Sequence, residues 1–414
     1  MPERPHRNVL LLAYAYPPDN SAGAARPARF AKYLPNFGYR ALVLTAAAQP
    51  NSESLGYVPD PWPRWLQRLW RLIPEVGLAW IRPALDAAER MISECGCDAV
   101  MSTFPPLAAH LVALRLKRRC GVRWVADFRD PLHGSPGRRR RLTRLADPVI
   151  ERLIFRHADA LVANTAAVAH LWRQRYPEAR RKIFLIWNGF DPDDTVGPAP
   201  IPERGFKLLL HLGDLYPTRH PGPVLEAMDR LIRRGLLNPA ELKVQLIGSQ
   251  LEDTGNPDAF RPFIEARLAE FLPRVSTAEA RRAMAEADYL LLLDLATPRP
   301  LQVPSKLFDY IRIGRPILAV TEKNSPTDRI LARAAIPHTT IYWHDSPEER
   351  ERKVLDFLNW PSAPQPPSEW FGRMFNGVTQ ARTLASILDS VCGARHRQAR
   401  TAGSKPRTSE RIPA

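Results

Sequence analysis

The chain has little cysteine: four in 414 residues, Cys95, Cys97, Cys120 and Cys392. No C-x-x-C pair and no histidine cluster accompany them, which excludes a zinc module and a disulfide framework and is simplest in a reducing compartment. Long hydrophobic runs are also missing. The apolar stretch near the N-terminus goes only from Val9 to Tyr16 and stops at Pro17-Pro18, too short for a membrane span and without a cleavage-site pattern. The expected location is cytoplasmic, at most peripheral on the inner face of the plasma membrane. Acid is in deficit: 43 Asp and Glu stand against 59 Lys and Arg, a net charge of +16 that favours an anionic partner. Nucleic acid is not expected, because the basic runs are scattered and no zinc finger, basic zipper or RNP-type aromatic motif is present.

What is present is an alternation. Apolar runs at Asn8 to Tyr14, Ala41 to Thr45, Ala99 to Thr103, Arg123 to Asp127, Ala160 to Asn164 and Ile183 to Trp187 predict buried strands, with helical patterns between several of them. The second half repeats this at Lys207 to Leu212, Lys243 to Ile247, Tyr289 to Leu293 and Ile317 to Val320. Strands alternating with helices predict parallel sheets covered on both faces, and 414 residues with 45% hydrophobic content fill two cores. The expected organisation is a first Rossmann-like domain over 1–190, a Pro/Gly/Asp-rich linker over 191–205 and a second such domain over 206–370. A C-terminal helix over 371–393 that packs back toward the first domain follows, then a disordered basic tail over 394–414, which holds six Lys or Arg and only Glu410 against them. Ligands of doubly wound sheets bind at the carboxyl ends of the strands, so function is sought there.

The most informative segment is Val303-Pro304-Ser305-Lys306-Leu307-Phe308-Asp309-Tyr310-Ile311-Arg312-Ile313-Gly314-Arg315-Pro316-Ile317. Pro304 and Ser305 predict a capped helix start, which puts free N–H groups and the positive end of the dipole beside Lys306, a seat for a diphosphate. Asp309, one turn on, suits sugar hydroxyls. Gly314 and Pro316 end the helix. Periodicity alone fits equally well an amphipathic helix with Leu307, Tyr310 and Ile311 in a core and Lys306 and Asp309 solvated.

The segment resembles the C-terminal signature of retaining, nucleotide-sugar-dependent glycosyltransferases of the GT-B fold, especially the bacterial surface-polysaccharide members of the family 4-like group. Further stretches carry the resemblance in order. Tyr16-Pro17-Pro18-Asp19-Asn20-Ser21-Ala22-Gly23 with Arg26-Pro27 is similar to the family's first loop, where Gly23 lets backbone approach the donor phosphates. Ser102-Thr103-Phe104-Pro105-Pro106 with His110, and Asp127-Phe128-Arg129-Asp130-Pro131, resemble strand-end loops on the acceptor side. Trp187-Asn188-Gly189-Phe190-Asp191 looks like the interdomain crossover, and His211-Leu212-Gly213-Asp214-Leu215-Tyr216-Pro217-Thr218-Arg219 like the loop that opens the donor domain.

The resemblance implies transfer of a sugar from a nucleoside diphosphate sugar to the hydroxyl of a glycan or lipid-linked acceptor, with retention of configuration and with neither metal nor further cofactor. It assigns donor binding to Gly23, Gly213, Arg219, Ser305, Lys306 and Asp309. It assigns chemistry to Arg219 and Lys306, to Asp130 for orienting the acceptor, and to His110, although a lone histidine on a helix with apolar neighbours also reads as a packed residue. Two positions depart from the family pattern. Asp214 stands where the family has arginine, and Leu301 replaces the first of two glutamates eight positions apart, the second being kept as Asp309. Asp294 ends a predicted strand and is a substitute candidate. These departures keep alive a catalytically silent nucleotide-sugar-binding protein, while an epimerase of the same fold is the other alternative.

Trp62, Trp65, Trp70 and Trp80 interleave with Arg64, Arg68, Arg71 and Arg82. Such a segment lies at a membrane interface or packs its aromatics as an insertion on the first domain. Arg138 to Arg141 with Arg144 form a second cationic run, suited to an anionic bilayer or a lipid diphosphate.

Overall fold

The computed structural model describes residues 7–19, 22–47, 54–62, 76–134 and 141–402. Seven strands make the first sheet: β1 (Arg7–Leu12), β2 (Tyr39–Thr45), β3 (Leu55–Tyr57), β4 (Cys97–Phe104), β5 (Arg123–Phe128), β6 (Ala160–Ala163) and β7 (Ile183–Leu185). Six make the second: β8 (Lys207–Leu212), β9 (Leu242–Ile247), β10 (Ala269–Leu272), β11 (Tyr289–Leu293), β12 (Ile317–Thr321) and β13 (His338–Tyr342). Their spatial orders are β3-β2-β1-β4-β5-β6-β7 and β10-β9-β8-β11-β12-β13. Every pairing is parallel, with Val9 facing Ala41 on one side and Ala99 on the other. Parallel strands need helical crossovers that cover both faces, which is why β11 reads Tyr-Leu-Leu-Leu-Leu and is buried throughout. In both sheets the order reverses beside the first strand, between β1 and β4 and between β8 and β11, so each sheet opens a crevice there at its carboxyl edge.

The chain divides into two compact units, one of residues Met1–Asn164, Trp172–Ile186 and Gln380–Ala414, the other of Thr165–Leu171 and Trp187–Thr379. The first boundary therefore falls after Ile186, earlier than the expected linker. Residues in that linker belong to the second unit because they are bonded into it: Val196 packs on its core, and the Ala199 N–H donates to the Ala285 carbonyl at 3.1 Å. The passes out and back pair with each other, Phe190 N–H to Phe375 carbonyl and Gly377 N–H to Phe190 carbonyl, both at 3.0 Å. The C-terminal helix, Gly377–Ala402, supplies Leu384, Ala385, Ile387, Leu388 and Val391 to the core formed by Val9, Leu11, Phe30 and Val43 of the first unit. Its backbone is helical from Gly377 to Ala402. Residues 403–414 lie outside the described residues.

Among the described residues no helix is long and apolar enough to cross a membrane. Of the tryptophans expected at an interface, Trp80 is in the core, with its indole N–H on the Val58 carbonyl at 2.8 Å and its ring edge-on to Tyr14. Trp65, Trp70 and their arginines lie outside the described residues, as do Arg138 to Arg140.

Candidate functional site

In the second unit, the crevice beside β8 is framed by the loop after β8 and the end of β11. Gly213 follows β8 with φ +143°, a backbone that side chains rarely adopt, and its N–H donates to the Ile247 carbonyl at 2.9 Å. Gly248 packs on it so closely that a Cβ there would lie 3.1 Å from the Gly213 carbonyl oxygen. The loop turns back through Tyr216 and Arg219, whose backbones exchange two hydrogen bonds of 3.0 and 2.8 Å. Arg219 is half-buried with its Nε buried and unpartnered, and its guanidinium lies 5.5 Å from the Tyr216 ring centre.

The helix Lys306–Ile313 is tied to the same strand end, because the Leu212 N–H donates to the Tyr310 hydroxyl at 2.9 Å. Ser305 does not cap it. Its backbone is already helical (φ −60°, ψ −31°), whereas a capping side chain needs an extended backbone to turn back on the helix, so the hydroxyl is left exposed. The Leu307 N–H is taken by the Pro304 carbonyl at 3.1 Å. Lys306 and Asp309 are half-buried. Burial pushes the Asp309 carboxyl up, against the pull of Lys306, Arg312 and Arg281 and with the nearby Asp194 carboxylate adding to the rise.

Two residues around this crevice are given no role by the sequence motifs. His211, on β8, is 4% exposed, and its Nδ1 lies 2.9 Å from the Leu291 carbonyl. A carbonyl only accepts, so Nδ1 carries the proton and Nε2, buried and without a partner, carries a lone pair. Burial lowers this imidazole to about 4, and the charges of Arg219 and Lys306 add to the effect against that hydrogen bond. The other residue is Arg274, in the loop after β10, which forms an ion pair with Asp214. A guanidinium thus reaches the place where Asp214 replaces the family's arginine, from a position 60 residues further on that no local pattern marks.

Asp294 is a structural hub. Its carboxylate accepts from Thr321 at 2.9 Å, Thr327 at 2.7 Å and the Leu295 N–H at 2.8 Å, joining the ends of β11 and β12 to the helix Pro326–Ala334. Burial raises its carboxyl, opposed by those bonds and by Arg219. Leu301 is half-buried.

In the first unit, the ends of β4 and β5 are locked by charge. Arg26 and Asp127 are 1% and 0% exposed and paired at 2.7 Å, with Thr103 donating to the same carboxylate at 2.9 Å and Arg26 also reaching the Ile186 carbonyl at 2.9 Å. Arg129 follows, its backbone N–H on the Phe104 carbonyl at 2.9 Å and its guanidinium on the Phe104 and Pro105 carbonyls. Gly23 lies in the first turn of the helix Ala22–Tyr33, and a Cβ there would sit 2.5 Å from Arg129 Nη1. The glycine makes room for that guanidinium. Asp130, next along, is half-buried beside it.

His110 is fully buried. Trp124 donates its indole N–H to the Ser102 hydroxyl at 2.8 Å, Ser102 bonds His110 Nδ1 at 2.7 Å, and the ring stands edge-on to Phe128 at 4.4 Å. Burial, with Arg129 adding, lowers it to about 3. An imidazole sealed in this aromatic box has the packed role, with no surface to offer a substrate.

Two parallel sheets in these orders, each covered by helices and joined by a double crossover, are the GT-B fold. Residues 26–194 match the family model Glycosyltransferase Family 4, so the resemblance carried by the motifs holds. No curated protein matches the chain. Among solved structures, sucrose-phosphate synthase from Thermosynechococcus elongatus superposes with a TM-score of 0.59 at 12% identity, covering 96% of this chain and 100% of its own. HepE from Anabaena, in complex with UDP-glucose, gives 0.56 at 15% identity over 96% and 100%. UDP-GlcNAc 2-epimerase from Methanocaldococcus jannaschii gives 0.54 at 11% identity over 93% and 99%. At such identities the likeness is one of fold, and the fold alone does not separate transfer from epimerisation.

Proposed function

We propose that the protein is a glycosyltransferase that moves a sugar from a nucleoside diphosphate sugar to an acceptor hydroxyl on a lipid-linked or cell-surface glycan precursor, with retention and without metal. The observation that carries the reading is that two cations stand on elements fixed to the end of β8 at the switch point of the second sheet: Arg219 on the turn closed by its two backbone hydrogen bonds with Tyr216, and Lys306 on the helix held to Leu212 through Tyr310. The chemistry asks for stabilisation of a departing diphosphate while positive charge builds on the sugar ring. Arg219 and Lys306 supply fixed positive charge for the first need, with Arg274 and the exposed Ser305 hydroxyl as further donors. Asp309 offers a carboxylate acceptor to ribose hydroxyls. To Asp130, two residues beyond β5, we assign the orienting of the acceptor hydroxyl.

The likeness to HepE, solved with UDP-glucose, makes a uridine donor the first to try. Thermal unfolding with UDP, GDP, TDP and ADP identifies the base, since a ligand that binds only the native state raises Tm. Release of nucleoside diphosphate from the matching donor then tests turnover. Tight binding with neither transfer nor hydrolysis would replace the transferase with a silent binding protein, the alternative that Asp214 and Leu301 favour.

A further inference from the structure

The helix Arg141–His157 buries two carboxylates and leaves an aliphatic stripe exposed. Its inward side carries Asp147 and Glu151, 2% and 0% exposed, alongside Ile154 and Phe155. Glu151 is fully engaged: it accepts from the His133 N–H and the Tyr176 hydroxyl, each at 2.8 Å, and pairs with Arg175 at 3.3 Å. The outward side carries Leu145, Val149 and Leu153, one turn apart along a single stripe and 76%, 69% and 38% exposed. A soluble helix normally places these types the other way round. Three of the nine large apolar side chains exposed among the described residues thus fall on this stripe.

The surroundings of the stripe are cationic. Arg152 and Arg156 share the exposed side of the helix, and neither forms an ion pair with a described residue. At the helix end, Lys117, Arg118, Arg156 and Lys182 all bear on His157, where burial first and then these charges hold the imidazole low. Lys117 is neutralised by Asp159 at 2.7 Å, whereas Arg118 is exposed and forms no ion pair with a described residue.

From this face we infer an attachment surface for an anionic lipid bilayer. Leu145, Val149 and Leu153 enter the headgroup boundary, and Arg118, Arg152 and Arg156 meet lipid phosphates. A second copy of the chain is disfavoured as the occupant because it would bring the same arginines against each other. Nucleic acid would satisfy the arginines but leave three aliphatic side chains without a partner. The inference adds to the reading of a membrane-associated acceptor, and measuring nucleotide binding in parallel keeps the two apart.

The test is sedimentation of the full chain with phosphatidylcholine vesicles, with and without phosphatidylglycerol, over a range of salt, in parallel with the Tm shift given by UDP. The protein is expected to pellet only with anionic vesicles. Leu145→Ser, Val149→Ser and Leu153→Ser together should leave the nucleotide shift unchanged and lower Tm only modestly, chiefly through Leu153, which is 38% exposed, yet weaken vesicle binding by about tenfold or more at moderate salt. Arg152→Gln with Arg156→Gln should weaken it chiefly at low salt. Parent protein that stays in the supernatant, a triple serine variant that binds like the parent, or binding to a polyanion such as heparin but not to vesicles each overturns the assignment. Loss of binding only when Trp65 and Trp70 are replaced by alanine would overturn it too, and would move the contact to the segment before Trp80.

Discussion

Arg219 and Lys306 must keep their charge to hold a diphosphate, while His211 beside them is held neutral by burial and by those same charges. Lys306→Ala should cost about 1.5–3 kcal/mol in nucleoside diphosphate affinity and far less for the bare nucleoside, because the lost contact is a charge-assisted one to phosphate. Calorimetry on both ligands separates the cases, and equal losses would move Lys306 out of the site. The two buried imidazoles also set an acid limit on the fold. His211 and His110 are depressed to about 4 and about 3 from an ordinary 6.5. A depressed folded value means that the unfolded chain takes up protons first as pH falls below 6.5, so the stability present above 6.5 is lost on acidification toward the folded values. At pH 5 the loss is about 2 kcal/mol for each histidine, and the dependence flattens once the folded protein protonates as well. Urea unfolding at pH 7 and pH 5 measures it, and His110→Gln should reduce the difference by about 2 kcal/mol, the share assigned to that imidazole. Parts of the site are legible at this scale. Lys306, Arg219 and Gly213 stand in recognisable local patterns, whereas His211 needs the strand pairing that buries it and Arg274 needs a partner far away in sequence.

At the scale of elements, the helix Lys306–Ile313 is defined by its end more than by its beginning. Gly314 adopts φ +74°, and a Cβ there would lie 2.1 Å from the Gln365 carbonyl oxygen, itself beside the hydrogen bond from the Gln365 N–H to the Gly314 carbonyl at 2.9 Å. Gly314→Ala combines left-handed strain with that collision and should cost roughly 2–4 kcal/mol. Because Tyr310 of this helix holds the end of β8, the Tm shift produced by nucleotide should fall as well; a variant as stable as the parent would show that the segment after 360 yields freely. The stop signal is readable in Gly314-Arg315-Pro316, but the start misleads, since Pro-Ser specifies a helix entrance and not the backbone angle at Ser305. The strands divide in the same way. Central strands betray themselves as apolar runs because both faces are covered, and all of them are visible in the sequence. The hidden ones, β3, β10 and β13, are all sheet edges: His338–Tyr342 has one buried residue in five, and Ala269–Leu272 one in four. At an edge the pairing partner supplies the order, and one-sided burial leaves little apolar signal.

For the whole molecule, the return of the chain to its first unit decides what truncation does. Removing residues from 380 onward deletes Leu384, Ile387, Leu388 and Val391 from a core that includes Val9, Leu11 and Phe30. Each buried aliphatic side chain lost costs on the order of 2–5 kcal/mol, so the sum exceeds the usual stability of a domain. A chain ending at 379 should expose its first unit to proteolysis, with the second unit surviving as the resistant fragment. A chain ending at 402 should melt as the parent does.

Synthesis imposes an order on the same connection. The last strand of the first sheet ends at Leu185, yet the helix that closes its core begins at Gly377, so a ribosome must add about 190 further residues, at roughly 5–20 per second, before that core is complete. The half that leaves the exit tunnel first is therefore finished last. For some ten to forty seconds Val9, Leu11 and Val43 wait uncovered while the second unit assembles beside them, and a nascent chain stalled before residue 380 should recruit holdase chaperones to its oldest segment.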